Sequence, residues 1–170
     1  TTDLAWETTK ASGVLFKSGL MQALELLGLT DGSIYGETYH KLFGWNPRGI
    51  VLHSPEYLPV REVLATAKAS GGAVVFAHPT VYKSMPLVRE LAAEGAIDGI
   101  EVDHPSNSPE DRAECVQLCR EYGLVPTAGT DFHGRNHKVP HPIGTCTAPD
   151  ETVIRLQEIA RKRGGGNGTR

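Results

Sequence analysis

The spacing of apolar residues along the chain changes near residue 50. Before that point, apolar side chains recur at helical spacing over residues 20–27 and stop at Gly28. A second short helix is predicted over residues 35–43, where Gly44 ends it. Neither segment shows the alternation of a strand. We therefore predict a small helical subdomain over residues 1–50.

From residue 51 to residue 163, predicted strands alternate with predicted helices. Short apolar runs at residues 73–77, 97–102 and 124–129 are rich in β-branched side chains, which is typical of buried parallel strands. Helical spacing precedes, separates and follows these runs. The alternation predicts an α/β fold with a parallel sheet or barrel, in which chemistry gathers at the carboxyl ends of the strands.

The helices of this region are indicated by their caps and apolar faces. Ser84, Ser108 and Asp150 each stand where a helix is predicted to begin. Helical spacing also predicts which residues of two helices face the core. They are Cys115, Val116, Cys119 and Tyr122 on the helix that begins at Ser108, and Val153, Ile154, Leu156 and Ala160 on the helix that begins at Asp150.

The composition narrows the class of protein. With 170 residues, of which 39% are apolar and 22% charged, the chain suits one globular domain of ordinary size. The net charge is −3 and no basic stripe is present, so a nucleic-acid partner is not expected. No apolar run reaches the roughly 20 residues of a membrane helix, and secretion is not expected, since the sequence shows no basic and then apolar segment of the leader type. A cytoplasmic protein without a membrane partner is the expectation.

The ends and the cysteines add three smaller expectations. The chain starts at Thr1 rather than at Met, so we expect a piece cut or processed from a longer protein. Residues 164–170, GGGNGTR, have nothing to bury and are predicted to form a disordered tail. Cys115 and Cys119 lie four residues apart on a helical face and are predicted to be buried thiols rather than metal ligands.

Histidine and carboxylate residues follow each predicted strand. The first strand leads into His78 and the second into Glu101 and His104. The third leads into Asp131 and His133, whose spacing in an extended segment puts both side chains on one side, where they can share one ion. Imidazole and carboxylate ligands together suit zinc, manganese or iron, and such an ion activates water for attack on a phosphoryl group.

Each of these residues also has a structural explanation. A histidine before a proline, as at His78, is often a loop residue, and Asp131 by itself suits a turn. Glu101 suits a buried, hydrogen-bonded carboxylate that orients its neighbours, and His104 suits a solvated loop position. It is their coincidence after three strands that favours a metal site.

Three segments carry a resemblance to a known family. Residues 71–79 (GGAVVFAHP), 99–111 (GIEVDHPSNSPED) and 124–134 (LVPTAGTDFHG) resemble the PHP (polymerase and histidinol phosphatase) superfamily, in its branch of small bacterial phosphoesterases. The resemblance implies a distorted β/α barrel with a centre of two or three divalent ions, usually manganese, iron or zinc. The helical subdomain is similar to an insertion in these proteins. Matched by motif, the metal ligands are His78, Asp131 and His133.

The chain departs from the family pattern in two places. It contains no HxH motif, so the resemblance implies the C-terminal part of the barrel without the early ligands. Asn107 stands where relatives often have histidine, so Asn107, Glu101 and His104 are kept as candidates for metal or substrate contact. Lys83 and Arg135 are candidates for phosphate contact.

The resemblance implies an enzyme in the intact parent protein, which hydrolyses a phosphomonoester, such as a nucleoside monophosphate, with metal-activated water. The implied partner is a small phosphate ester. Half a barrel leaves strand edges unpaired, so we also expect the missing N-terminal half or a homo-oligomer as partner. Two alternatives stay open: a catalytically inactive PHP module with a structural or interaction role, and a metal-dependent hydrolase of the amidohydrolase type.

Overall fold

The computed structural model describes residues 2–30, 32–133, 139 and 141–164. The chain divides into two compact units, residues 1–56 with 133–140 and residues 57–132 with 141–170. The elements of the described residues are, in chain order, α1 (Thr2–Thr9), a 3-10 helix (Lys10–Ser12), α2 (Lys17–Leu26), α3 (Glu37–Phe43), α4 (Val60–Ala69), β1 (Val75–Phe76), α5 (Met85–Ala93), β2 (Gly99–Asp103), α6 (Pro109–Tyr122), β3 (Val125–Ala128) and α7 (Asp150–Gly164).

The described residues of the first unit include helices α1, α2 and α3. Helix α1, which buries Ala5 and Thr9, was not predicted from the sequence. Helices α1 and α2 approach closely at Gly19 of α2, where an added Cβ would lie 2.0 Å from Cγ2 of Thr9 in α1. The hydroxyl of Thr8 donates a hydrogen bond to the Gly19 carbonyl at 3.0 Å. With so few apolar side chains, α1 gives little periodic signal.

The second unit contains a parallel sheet in the order β1-β2-β3. Val75 pairs with Gly99, and Glu101 pairs with Thr127. This confirms the predicted mixed α/β fold with a parallel sheet. Within the described ranges the sheet has three strands and is open, so barrel closure stays a prediction.

The core of this unit lies between the sheet and helices α5 and α6. Val88, Leu91, Ile100 and Cys115 are completely buried there. Burial raises the pKa of the Cys115 thiol to about 12 and that of Cys119 to about 11, so both are protonated at neutral pH. The prediction of buried thiols is confirmed.

Two predicted apolar faces are rotated in the structure. On α6, Leu118 is buried in place of Tyr122, which is 40% exposed. On α7, Val153 and Ile154 are exposed, whereas Thr152 is buried and its hydroxyl donates to the Pro126 carbonyl at 3.1 Å. Helix α7 therefore meets the end of β3 with a polar side chain, which a search for apolar periodicity does not detect.

At the amino end of the sheet, a group that we call the amino-end clasp joins α7 to β1 and β2. Asp98 accepts a hydrogen bond from the Val74 N–H at 2.7 Å. It also forms an ion pair with the Arg163 guanidinium. Arg163 also donates to the Gly72 carbonyl at 2.8 Å. Burial alone would raise the pKa of Asp98, but the hydrogen bonds from Arg163 and Val74 outweigh it, and the pKa is lowered.

In the part of the chain that the structure describes, no helix is both long and apolar enough to cross a membrane. Residues 165–170 of the predicted tail lie outside the described residues. The predicted boundaries at residues 50 and 163 stay predictions.

Candidate functional site

The carboxyl ends of the three strands hold the predicted site residues of the second unit. His78 lies two residues after β1, Glu101 is part of β2 and His104 directly follows it. Asp131 lies three residues after β3. Because parallel strands end at the same edge of a sheet, the βα order of the chain brings these four residues to one edge.

Glu101 connects the ends of all three strands. Its Oε2 accepts a hydrogen bond from the His78 N–H at 2.7 Å. Its Oε1 lies against Gly129, where an added Cβ would be only 2.4 Å away. The hydrogen bond to the His78 N–H fits the orienting role considered for Glu101, because His78 has a left-handed conformation with φ of 28°.

Two imidazole rings lie next to each other at this edge. The centroids of His78 and His104 are 5.3 Å apart, and His104 is 1% exposed. Nε2 of His104 is 3.7 Å from Oδ2 of Asp131, a carboxylate whose φ of 52° also lies in the left-handed region. Among the residues that the structure describes, Nδ1 of His78 and Nε2 of His104 are buried without a hydrogen-bond partner.

The loop between β2 and α6 is fixed by hydrogen bonds to main-chain groups. Asn107 is buried and donates to the carbonyls of Glu101 and Val102 at 2.9 and 3.1 Å. The Ser106 N–H donates to Nδ1 of His104 at 3.0 Å. At the start of α6 the Ser108 hydroxyl accepts from the Asp111 N–H, which confirms the predicted cap. Asn107 therefore anchors this loop.

Sequence reasoning missed Arg112. Its guanidinium donates to the His104 carbonyl at 2.7 Å, to the Asn107 carbonyl at 3.3 Å and to the carboxylate of Asp103. These contacts hold the loop of His104 against the start of α6. One arginine in the first turns of a helix carries no motif of its own, so the sequence offered no signal for this role.

Three further predicted residues are His133, Arg135 and Lys83. His133 belongs to the first unit. Arg135 lies outside the described residues. Lys83 is exposed in the turn after β1, with φ of 53°, and its role as a phosphate contact stays a prediction.

The predicted ligand set of His78, Asp131 and His133 is not tested, because His133 belongs to a different unit from the other two residues. Over residues 2–30, 32–133, 139 and 141–164 there is no group of three or more His, Cys, Asp or Glu that could hold a metal ion. The chemistry at the sheet edge nevertheless suits one, because the Asp131 carboxylate belongs to the same edge as Nδ1 of His78, which is buried without a hydrogen bond among the described residues. The assignment of metal ligands stays a prediction.

Comparisons with known proteins identify relatives of this chain. It is 35% identical over 137 residues to a phosphoribosyl 1,2-cyclic phosphate 1,2-diphosphodiesterase of Eggerthella lenta, a match that covers 81% of this chain and 51% of that protein. It is 31% identical over 83 residues to the 5'-3' exoribonuclease Rnm of Escherichia coli K12, covering 46% of this chain and 28% of the enzyme. This chain is related to phosphoesterases. The resemblance drawn from its three segments is thereby confirmed, in a form consistent with the PHP superfamily.

The fold of this phosphoesterase relative has a counterpart among solved structures. A Bifidobacterium adolescentis protein proposed to be a metal-dependent phosphoesterase matches it with a TM-score of 0.66 and 24% identity. The match covers 85% of this chain and 50% of that one, and at this identity it indicates the fold alone. No protein-family model matches the chain. The chain spans about half the length of the relative from Eggerthella lenta.

Proposed function

We propose that this chain is part of a metal-dependent phosphoesterase whose ion is bound by His78, Asp131 and His133. The observation that carries the proposal is Nδ1 of His78, which is buried without a hydrogen bond among the described residues, at the sheet edge to which Asp131 also belongs. A buried nitrogen of this kind costs about 1–3 kcal/mol unless a ligand satisfies it. The names of the relatives support the same chemistry.

The residues of this chain would hold and orient the ion. Glu101 fixes the main chain of His78 through the hydrogen bond from the His78 N–H, so the imidazole projects from a defined position. When bound, a divalent ion would polarise the phosphoryl group of the substrate and would lower the pKa of a bound water. Zinc, manganese and iron all accept this mixture of nitrogen and oxygen ligands.

We propose a small phosphate ester as the substrate. The relatives are named for a cyclic phosphate diester and for RNA, both of which contain phosphodiester bonds, so the phosphomonoester proposed for this chain comes from the family resemblance of its sequence. A net charge of −3 and the lack of a basic stripe in the sequence favour a small substrate over a nucleic-acid strand. A phosphomonoester, such as a nucleoside monophosphate, is the specific proposal.

The remaining ligands would come from residues outside this chain. The chain spans 51% of its relative from Eggerthella lenta, and the described residues contain no complete three-ligand group. We propose that an N-terminal half closes the barrel and completes the metal centre, with a second copy of the chain as the other way to cover the open sheet. Either partner would add ligands to those of His78 and Asp131.

Metal binding tests the proposal directly. Manganese and zinc are titrated into the wild-type chain and into Asp131→Ala by calorimetry, with Glu158→Ala as a control at an exposed carboxylate on α7. Asp111 does not suit this control, because its carboxylate accepts a hydrogen bond from Thr80, close to His78. We expect weak binding by the wild type and by Glu158→Ala, and a loss of about tenfold or more in Asp131→Ala. Equal affinity of Asp131→Ala and wild type would remove Asp131 from the site.

Hydrolysis of a phosphomonoester, a phosphodiester and a short RNA tests the substrate. The isolated chain is expected to act barely above background, and addition of the N-terminal half of a relative is expected to restore turnover of the monoester. A preference for RNA would contradict the proposed substrate. No turnover in the completed protein, despite metal binding, would favour the inactive module.

A further inference from the structure

We propose that His104 positions Asp131 by aiming an Nε2–H at its carboxylate, and that His104 is not itself a metal ligand. This inference rests on the proposed function, in which Asp131 binds the ion. His104 was a candidate for metal or substrate contact in the sequence. Three observations at the sheet edge assign it a different task.

The first observation is the burial of the His104 side chain. It is 1% exposed, and its Nε2 is completely covered. A substrate that arrives from solution would have to displace the surrounding residues before it could touch this nitrogen. Direct contact with the substrate is therefore disfavoured, and the partner of Nε2 must be sought among neighbouring protein groups.

The second observation fixes the position of the ring proton. The main-chain N–H of Ser106 lies 3.0 Å from Nδ1 of His104. Because a peptide N–H can only donate, Nδ1 must accept, and a neutral ring then carries its proton on Nε2. A metal ion needs a nitrogen with a free lone pair. In this tautomer the lone pair of Nδ1 is occupied and Nε2 has none to offer.

The third observation is the group that Nε2 approaches. Oδ2 of Asp131 lies 3.7 Å away, a few tenths of an ångström beyond a hydrogen bond. His104 is held from behind, since its carbonyl accepts hydrogen bonds from Arg112 at 2.7 Å and from the Asn107 N–H at 3.0 Å. A donor on a fixed ring therefore lies close to a carboxylate on a loop. Residues of this kind orient metal ligands, and their loss typically lowers metal affinity about 10–100-fold.

The tautomer can be measured without any metal. Nitrogen-15 NMR of the full 170-residue chain reports which ring nitrogen is protonated, and His104→Gln assigns the signal. We expect the Nε2–H form, and we expect Asp131→Asn to shift the His104 Nε2 signal while that of His53 stays in place. A proton on Nδ1, or a His104 signal that does not respond to Asp131→Asn, would overturn the proposal.

Metal affinity provides a second test, with rescue by a conservative variant. Gln places a side-chain N–H near the position of Nε2, so His104→Gln is expected to keep manganese affinity within about threefold, whereas His104→Ala loses about 10–100-fold. Melting temperatures of both variants control for folding. Equal loss in the two folded variants would contradict a donor role. A wild-type chain that binds neither manganese nor zinc would instead contradict the proposed function, and the NMR result would still decide on the tautomer.

Discussion

The two ends of the sheet treat their polar groups in opposite ways. At the amino end, Asp98 accepts hydrogen bonds from Val74 and Arg163. At the carboxyl end, His78 and His104 each keep a buried nitrogen that no described residue satisfies. The backbone differs as well, because His78 has a positive φ, which costs about 1 kcal/mol or more in a residue with a side chain.

Left-handed residues and unsatisfied polar atoms are found preferentially at functional sites. The paired groups at the amino end are therefore expected to stabilise the fold, whereas the carboxyl end is where our proposal places the ligand. If the two ends differ in this way, substitutions at the amino end should change stability, and substitutions at the carboxyl end should change metal binding.

The largest loss of stability is expected from Asp98→Ala. The substitution leaves the Arg163 guanidinium and the Val74 N–H without their acceptor in a partly buried setting. We expect the free energy of unfolding to fall by about 2–4 kcal/mol in urea titrations. Glu94→Ala is the control, since it removes an exposed carboxylate from Arg61 and should change little. Similar losses in both variants would argue against a special role for the amino-end clasp.

A smaller loss is expected from Gly129→Ala at the carboxyl end. The new Cβ would lie 2.4 Å from Oε1 of Glu101, and that carboxylate cannot withdraw easily because its other oxygen accepts from the His78 N–H. We expect a loss of about 1–2 kcal/mol. A double-mutant cycle with Glu101→Ala provides the control. If the alanine at 129 destabilises equally with and without Glu101, the contact is not the cause.

Acidification should lower the free energy of unfolding by part of the loss that we expect from Asp98→Ala. The pKa of Asp98 is lowered in the folded chain from its usual 3.8, so below that value the unfolded chain takes up the proton first. The stabilisation is thus present above about pH 4 and is lost as the pH falls through the folded pKa. Unfolding free energies measured from about pH 5 to pH 2 should fall less steeply in Asp98→Asn than in wild type. Parallel curves would contradict the pairing.

The smallest change in stability is expected from His78→Gly. Glycine adopts the left-handed conformation without a steric cost, which offsets part of the lost imidazole contacts. We expect the free energy of unfolding to change by less than about 1 kcal/mol, while manganese binding in calorimetry disappears. A destabilisation as large as that of Asp98→Ala would mean that the carboxyl end also carries the stability of the fold.

Local features of this chain could be predicted from sequence where neighbouring residues determine them. The cap at Ser108 is one such feature, because its partner Asp111 lies three residues away. The strands were found from their β-branched runs, which also placed His78 and Asp131 at one sheet edge. The apolar periodicity of α6 wrongly predicted that Tyr122 is buried. Which side of a helix faces the core depends on the elements it packs against, and the spacing of residues within the helix does not determine this.

The contacts that define the site could not be predicted in the same way. Arg112 reaches back to Asp103, and Glu101 reaches the main chain of His78, which is 23 residues earlier. Such pairs depend on the approach of separate strands and loops rather than on spacing along the chain. The protonation of His104 depends on the Ser106 N–H, a main-chain group that any residue other than proline supplies.

The amino-end clasp has a consequence for the rates of folding. Val74 and Asp98 are 24 residues apart, whereas the hydrogen bond from Arg163 to Gly72 joins residues 91 apart. Closing the longer loop costs roughly 1 kcal/mol more chain entropy, so we expect the strands to pair first and the last turn of α7 to dock late. Contacts formed after the folding barrier slow unfolding without speeding folding. Arg163→Ala should therefore shorten the lifetime of the folded chain in stopped-flow measurements and leave its refolding rate nearly unchanged.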